Sequence, residues 1–411
     1  MSARSELFKG WCPGALRPMQ SGDGFIIRVR PRIGRVSAEQ LETLGEVSAR
    51  FGDGDLYLTN RANVQIRGVS DLDRNAALEF LSVAKLVDTD PRVESIRNII
   101  IEPAIVPESL AEMAVTLAET LEEMLAATPA LYELPGKFGV SIQIGPIIDQ
   151  HTISDITFSI QTGRIIMVLE GASGCGVSFA NVEAAAEGFS NTAIAFLRLQ
   201  RAWPDMRRMR DAVSGFGADA VASEAEVSLA PPGIPLCEAP APVGDRGGAF
   251  GIAFLFGEIK QAATRLITAF MRSEAIRYAA VSAHRALVFR VDAQQRAALQ
   301  KLATEIGGIT DPFDFRLRIH TCAGAPSCSR AAVQARRDAQ SVLEALRGAS
   351  SFSGHIHISG CEKRCAYSGP AAITVIGNAS GSYDINGAAH RRGGVRPVDL
   401  AGAVAELARA S

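Results

Sequence analysis

Four cysteines, set in two close pairs, are the side chains of this sequence best suited to redox chemistry. Cys322 and Cys328 form a Cys-x5-Cys segment, HTCAGAPSC, and Cys361 and Cys365 form a Cys-x3-Cys segment, SGCEKRC. Four thiols are the number a cubane iron–sulfur cluster takes. A loop of three or five residues lets one turn of chain offer two sulfurs to different corners of such a body. Gly324, Pro326 and Gly360 relieve backbone crowding beside it. Ser329 is placed to cap a helix over 330–347, which would put Cys328 at a helix start, where backbone N–H groups favour a thiolate. Lys363 and Arg364 offset the negative charge of a cluster. Zinc pairs are usually Cys-x2–4-Cys, so a five-residue spacer lies outside that range. Zinc and structural thiols therefore stand as the lesser alternatives. Cys12, Cys175 and Cys237 are isolated and read as ordinary thiols.

The elements that position these loops follow from periodicity. Residues 25–30 alternate as a half-buried strand, 38–51 carry Leu41, Leu44, Val47 and Phe51 at helical spacing, 56–66 alternate again, and 72–86 are helical. A similar order returns with a strand at 250–256, a helix at 258–272 and a strand at 278–291. Placing Arg61 on Arg285 aligns Ala62 with Ala286 and Val64 with Val288, a weak internal duplication. Between the copies, 109–126 form a helix with Ser109 and Glu112 as a capping box. Strands are expected at 138–145, 155–160 and 164–169, and a helix over 178–202. The Pro-, Gly- and Ala-rich stretch 230–249 reads as a linker. In the last block a strand at 314–320 runs into Cys322 and one at 355–358 into Cys361. A strand at 372–376 and a helix over 397–410 complete it. Mixed elements in this order suggest α+β or α/β layers, and α+β is the class expected here.

Composition narrows the partners. With 42 basic and 44 acidic residues the net charge is −2, so no bulk basic field suits nucleic acid. No apolar run reaches the roughly 18–20 residues that span a bilayer. The first residues lack an apolar core of signal-peptide length, so a cytoplasmic location is expected, where clustered cysteines point to metal rather than disulfides. His355 and His357 alternate on one strand and share a face, and His320 lies two residues before Cys322. Packing beside the cluster is the plain reading of these histidines.

At its motifs the chain resembles the nitrite and sulfite reductase superfamily. That resemblance rests on the two cysteine segments and extends across nearly the whole chain. Within the superfamily the sequence is most similar to the precorrin-3B synthase family. The shared signatures are Cys12-Pro13-Gly14, Leu58-Thr59-Asn60-Arg61-Ala62-Asn63-Val64-Gln65, Cys-x-Gly-Ala-Pro-x-Cys at 322–328, and His357-Ile358-Ser359-Gly360-Cys361-Glu362-Lys363-Arg364-Cys365. The resemblance implies two ferredoxin-like repeats, at 1–90 and 250–308. It also implies two mixed α/β lobes for cluster and substrate binding, at 91–230 and 309–411, with a linker at 231–249. It implies a 4Fe-4S cluster on Cys322, Cys328, Cys361 and Cys365. In sulfite reductases a sirohaem sits beside the cluster, and the cysteine corresponding to Cys365 bridges to it.

Substrate residues carry over one at a time. Arg61 matches the arginine of a Thr-x-Arg-x-x-x-Gln strand, with Gln65 following. Arg97-Asn98-Ile99 matches the second arginine segment. Leu134-Pro135-Gly136-Lys137-Phe138-Gly139 matches Leu-Pro-x-Lys-Phe-Lys, so Lys137 is kept and the second lysine is Gly139. A solvated arginine or lysine on a strand is the plain alternative for each. The precorrin-3B synthase resemblance implies a mononuclear non-haem iron that activates dioxygen, with His355 and His357 as candidate ligands. It implies an iron–sulfur monooxygenase acting on precorrin-3A in aerobic cobalamin biosynthesis, supplied by an external electron donor. The alternatives are a sirohaem-dependent nitrite or sulfite reductase and a non-catalytic tetrapyrrole carrier.

Overall fold

The computed structural model describes residues 13–410 apart from 102–107, 146–153, 173, 232–240, 348–351, 368 and 388–389. The first repeat comprises β1 (Met19–Ser21), β2 (Gly24–Val29), β3 (Arg35–Val36), α1 (Ala38–Phe51), β4 (Leu56–Leu58), β5 (Val64–Val69) and α2 (Arg74–Val83). A short α3 (Pro91–Ile96) leads into the first lobe. That lobe runs β6 (Ile99–Ile101), α4 (Glu108–Ala127), β7 (Val140–Ile144), β8 (Ile156–Gln161), β9 (Arg164–Leu169), β10 (Val177–Phe179), α5 (Val182–Ala202), α6 (Met209–Phe216) and α7 (Ala218–Glu224). The second repeat holds β11 (Gly244–Asp245), β12 (Ala249–Ala253), β13 (Glu258–Ile259), α8 (Gln261–Ser273), β14 (Ala279–Ser282), β15 (Ala286–Arg290) and α9 (Ala293–Glu305). The second lobe holds β16 (Ile319–Thr321), α10 (Ala335–Leu346), β17 (Ile356–Ser359), β18 (Ile373–Gly377), β19 (Tyr383–Asn386), β20 (Arg391–Val395) and α11 (Pro397–Ala410).

Both expected kinds of unit are present, and each occurs twice. The repeat sheets run β1-β2-β5-β4-β13 and β11-β12-β15-β14-β3. Each repeat thus lends its short third strand to the other's sheet, through Glu258↔Tyr57 and Ala279↔Val36. One continuous core follows, joining Leu44, Leu56 and Ile66 to Ile252, Ile267 and Leu287. The duplication extends to backbone detail. Ile33 and Phe256 both take positive φ, 46° and 57°, and each precedes a glycine at positive φ. α1 begins on a reciprocal Ser37–Gln40 capping box and buries Leu41, Leu44 and Val47. Its Gly45 meets α8, where an added Cβ would lie 2.8 Å from Thr264 Cγ2. The lobe sheets run β10-β9-β8-β7-β6 and β16-β17-β18-β19-β20. In each, the first three strands in sequence are parallel and the last two antiparallel. A helix, α4 or α10, makes the crossover that parallel strands require.

Several local expectations change. Residues 56–66 and 278–291 are each a hairpin rather than one strand. Thr59 N–H donates to Asn63 O at 3.0 Å, and Ala62 turns at φ 52°. In the second hairpin Ser282 pairs with Ala286, and Arg285 turns at φ 58°. Ala62 therefore corresponds to Arg285, and Arg61 to His284, one residue away from the alignment read in sequence. α4 already includes Glu108, so Ser109 lies inside the helix and cannot cap it. α10 begins at Ala335, so Cys328 is not at a helix start and Ser329 caps nothing there. Of the expected linker, 232–240 lie outside the described residues, as do Cys12 and Cys237.

Candidate cofactor and substrate site

The cysteine loops leave the C-terminal ends of β16 and β17, which are parallel neighbours in register through His320↔His357. Crevices at the carboxyl ends of parallel strands are the usual ligand position in open sheets. Cys322 directly follows β16, and Cys361 follows β17 by one intervening glycine. Gly360 N–H donates to Cys322 Sγ at 3.1 Å. A Cβ at Gly360 would lie 2.7 Å from Ala331 Cβ, and one at Gly324 (φ 71°) would lie 2.4 Å from Ala335 N. Both glycines let backbone close in where a side chain would block it. Cys322 is held toward the thiolate by the Cys365 thiol bonded to it, aided by the Gly360 and Gly324 amides and Arg336. The same bond, with burial, pushes Cys365 well up. Burial is the chief cause that pushes Cys361 up, with Cys328 and Cys322 adding to it. By residue, Cys322, Cys328 and Cys361 are half-buried and Cys365 is exposed, although the Cys365 sulfur itself is enclosed against Cys322.

Four thiols from two adjacent loops, with amides aimed at one sulfur, fit a four-iron cluster. Among the described residues no three His, Cys, Asp or Glu side chains converge on a single-ion position. A cubane spreads its thiolates over a larger body and does not need that convergence. A mononuclear iron does need it, so the proposed iron on His355 and His357 finds no ligand set among the described residues.

The histidines instead form a packed array. His320 Nε2 and His355 Nδ1 lie 2.9 Å apart, and the Tyr367 ring stacks on His320 at 3.9 Å and 6°. Aromatic stacking of this kind holds rings in fixed orientation. His357 is 4% exposed, and its Nε2 is buried without a hydrogen-bond partner. Burial, then the charges of Arg364 and Arg285, push its pKa down to about 4, so it stands neutral. His357, Lys363, Arg364, Tyr367, Pro370 and Thr374 line a cavity of about 450 Å³ beside the Cys361–Cys365 loop.

The carried-over cations divide. Arg61 sits in the β4–β5 turn, half-buried, with Nη1 donating to Lys137 O at 3.1 Å. Lys137 is exposed. An added Cβ on Gly139 would lie 3.7 Å from Arg61 Nη1. Arg61, Lys137 and the Gly139 position are thus neighbours although 76 residues separate the first two. Gln65 Oε1 accepts from Arg28 Nη2 at 3.1 Å on the sheet between them. Arg97 is different. It is 4% exposed, and all three guanidinium nitrogens are engaged: Nε donates to Asp88 at 3.1 Å, Nη1 to Glu122 at 3.2 Å, and Nη2 to Asp88 at 2.8 Å and Arg30 O at 2.9 Å. That network ties the end of α3 to α4 and occupies the whole guanidinium of Arg97.

Tyr367, Arg67 and Arg285 belong to the site's surroundings, and the sequence assigns none of them a site role; Arg285 enters it only as the residue aligned with Arg61. Tyr367 follows Cys365 by two residues, which is a usable signal. The two arginines reach the loops from distant segments and have none.

Residues 17–82 match the family model of the nitrite/sulfite reductase ferredoxin-like half domain. A precorrin-3B synthase of Sinorhizobium sp. is 26% identical over 404 residues, which is 93% of this chain and 84% of that protein. The sulfite reductase [NADPH] hemoprotein beta-component of Shewanella sediminis is 23% identical, over 90% of this chain and 76% of its own. A ferredoxin–nitrite reductase of Synechococcus elongatus is 30% identical over 35% of this chain and 29% of its own. Among solved structures, Mycobacterium tuberculosis NirA superposes with a TM-score of 0.67 at 19% identity, covering 93% of this chain and 79% of NirA. No helix among the described residues is long and apolar enough to cross a membrane.

Proposed function

We propose that this chain, which has the nitrite/sulfite reductase fold, catalyses the precorrin-3B synthase reaction: oxygen-dependent hydroxylation and lactone formation on precorrin-3A in cobalamin biosynthesis. One atom of dioxygen enters the meso carbon between rings A and D, the other leaves as water, and an external donor supplies two electrons. The ring A acetate closes the γ-lactone. The likeness to a precorrin-3B synthase over 93% of the chain supports the reading.

The observation that carries it over anion reduction is the charge beside Arg61. A small oxyanion undergoing multi-electron reduction needs dense positive charge around it. Here the second lysine of the family's motif is Gly139, and Arg97 is bound to Asp88 and Glu122. Arg61 and Lys137, neighbours through the bond from Arg61 Nη1 to Lys137 O, are the cations that take substrate carboxylates by charge-assisted hydrogen bonds. Cys322, Cys328, Cys361 and Cys365 hold the 4Fe-4S cluster, which supplies one-electron transfer. His357 stays neutral against the cavity, and Tyr367 and His320 form a rigid wall beside it.

Incubation of anaerobically prepared protein with precorrin-3A, reductant and labelled dioxygen tests this. The expected product gains one labelled oxygen by mass spectrometry. Unchanged precorrin-3A, together with consumption of nitrite or sulfite and an intense Soret band, would establish the sirohaem-dependent reductase instead.

A further inference from the structure

Each cysteine loop is gripped by an arginine from a ferredoxin-like repeat. Arg67, on β5, is 5% exposed. It pairs with Asp23 at 2.9 Å, and its Nη2 also donates to Ser327 O, the carbonyl preceding Cys328, at 2.6 Å. The same carbonyl accepts from Ser21 Oγ at 2.6 Å and from Gly22 N–H at 3.2 Å. A side chain at Gly22 could not fit, since its Cβ would lie 2.1 Å from Pro326 O. On the other side, Arg285 in the β14–β15 turn donates Nη2 to Ala366 O, the carbonyl following Cys365, at 2.8 Å.

The two grips differ in charge. Asp23 neutralises Arg67. Among the described residues no carboxylate acts on Arg285; the charged groups around it are Arg336 and Cys365. A half-buried cation without an anion is costly. Negative charge from metal-bound thiolates is what would compensate it. The turn itself does not call for an arginine: the matching residue of the first repeat is Ala62, which holds a similar positive φ.

We propose that Arg67 and Arg285 are positioning residues for the cluster. Arg67 fixes the Cys322–Cys328 loop, and Arg285 fixes the Cys361–Cys365 loop while setting positive charge against the thiolates. The proposal rests on the reading that the four cysteines hold a cluster. Charge-assisted bonds of this sort are each worth about 1.5–3 kcal/mol in other proteins.

The test uses full-length chain prepared without air, as wild type, Arg67→Met, Arg285→Gln and Arg285→Lys, with Arg290→Ala as a surface control. Iron and sulfide content, release of iron to a chelator, the spin-resonance spectrum of the reduced protein and its reduction potential are measured beside far-UV circular dichroism. With dichroism unchanged, Arg67→Met should release iron about tenfold faster, as loss of one such bond predicts. Its spin-resonance spectrum should shift. Arg285→Gln should keep iron but move the potential to a more negative value, and Arg285→Lys should restore it. Wild-type release rate, spectrum and potential in both Arg67→Met and Arg285→Gln would overturn the proposal. Should Arg67→Met not fold, Arg285→Gln decides, because its loss strands no carboxylate. Wild-type protein without iron and sulfide would instead remove the cluster reading itself.

Discussion

The lobe on β6–β10 and the lobe on β16–β20 have one strand order and one crossover plan, yet they carry different side chains at corresponding places. After β16 and β17 come the two cysteine pairs. The chain after β6 and β7, residues 102–107 and 145–155, has no cysteine at all. Instead the first lobe is braced by buried ion pairs. Arg97 joins Asp88 and Glu122, and Arg208 joins Asp155 at 2.9 Å and Glu170 at 3.3 Å. Asp155 further accepts from the Gly139 amide at 2.9 Å, fixing the segment beside Arg61. In the second lobe the matching region holds neutral histidines, a stacked tyrosine and thiols. The scaffold thus tolerates either solution, because strand pairing and crossover packing fix the sheet while loop residues decide what it binds.

Replacing a thiol is the strongest way to break the contrast. Cys361→Ala should abolish bound iron, labile sulfide and turnover. Cys175→Ala, in the first lobe, should change none of them, since Cys175 packs against that lobe's core and its one hydrogen bond among the described residues is a weak one to Ala172 O at 3.8 Å. Iron and sulfide analysis with the labelled-oxygen assay checks both. Arg97→Met tests the bracing. It leaves buried Asp88 and Glu122 with only the half-exposed Arg32 still paired to them, at 2.7 and 2.9 Å, so denaturant unfolding should show a loss of about 3 kcal/mol, the low end for a broken buried pair. Normal stability with weakened substrate binding would make Arg97 a binding residue after all. Arg61→Ala should do the reverse, raising KM roughly ten- to hundredfold with stability unchanged, as for one lost charge-assisted bond.

A gentler test uses pH. Burial, opposed by Arg208 and reinforced by Asp155, raises the Glu170 pKa to about 7. The folded state then binds more protons than the unfolded one between the ordinary carboxylate range and about 7. Stability should therefore fall as pH rises through that window, and Glu170→Gln should flatten the slope. Denaturant midpoints at stepped pH values measure it. Smallest of all, Arg198→Ala should shift stability by less than about 0.5 kcal/mol, because its partner Glu224 is a surface residue at 3.3 Å.

Much of the fold was legible from local pattern. α1 has the expected bounds, 38–51, because the apolar spacing that marks it lies within one short segment. The hairpins look like single strands in sequence because apolar residues resume on both sides of Thr59–Asn63 and Ser282–Ala286 with no Gly or Pro between them. Only strand pairing reveals the turns, and with them the one-residue shift in the duplication.

The cysteine pairs needed no structure to be noticed, since three- and five-residue spacings are properties of contiguous chain. The same holds for the family's Arg61, Lys137 and Gly139 segments. The fate of a charge was a tertiary matter. Arg97 became structural because Glu122 arrives from 25 residues away, and Arg67 met Ser327 across 260 residues. Burial and pairing energies depend on which groups are brought within a few ångströms, and no spacing along the chain encodes that distance.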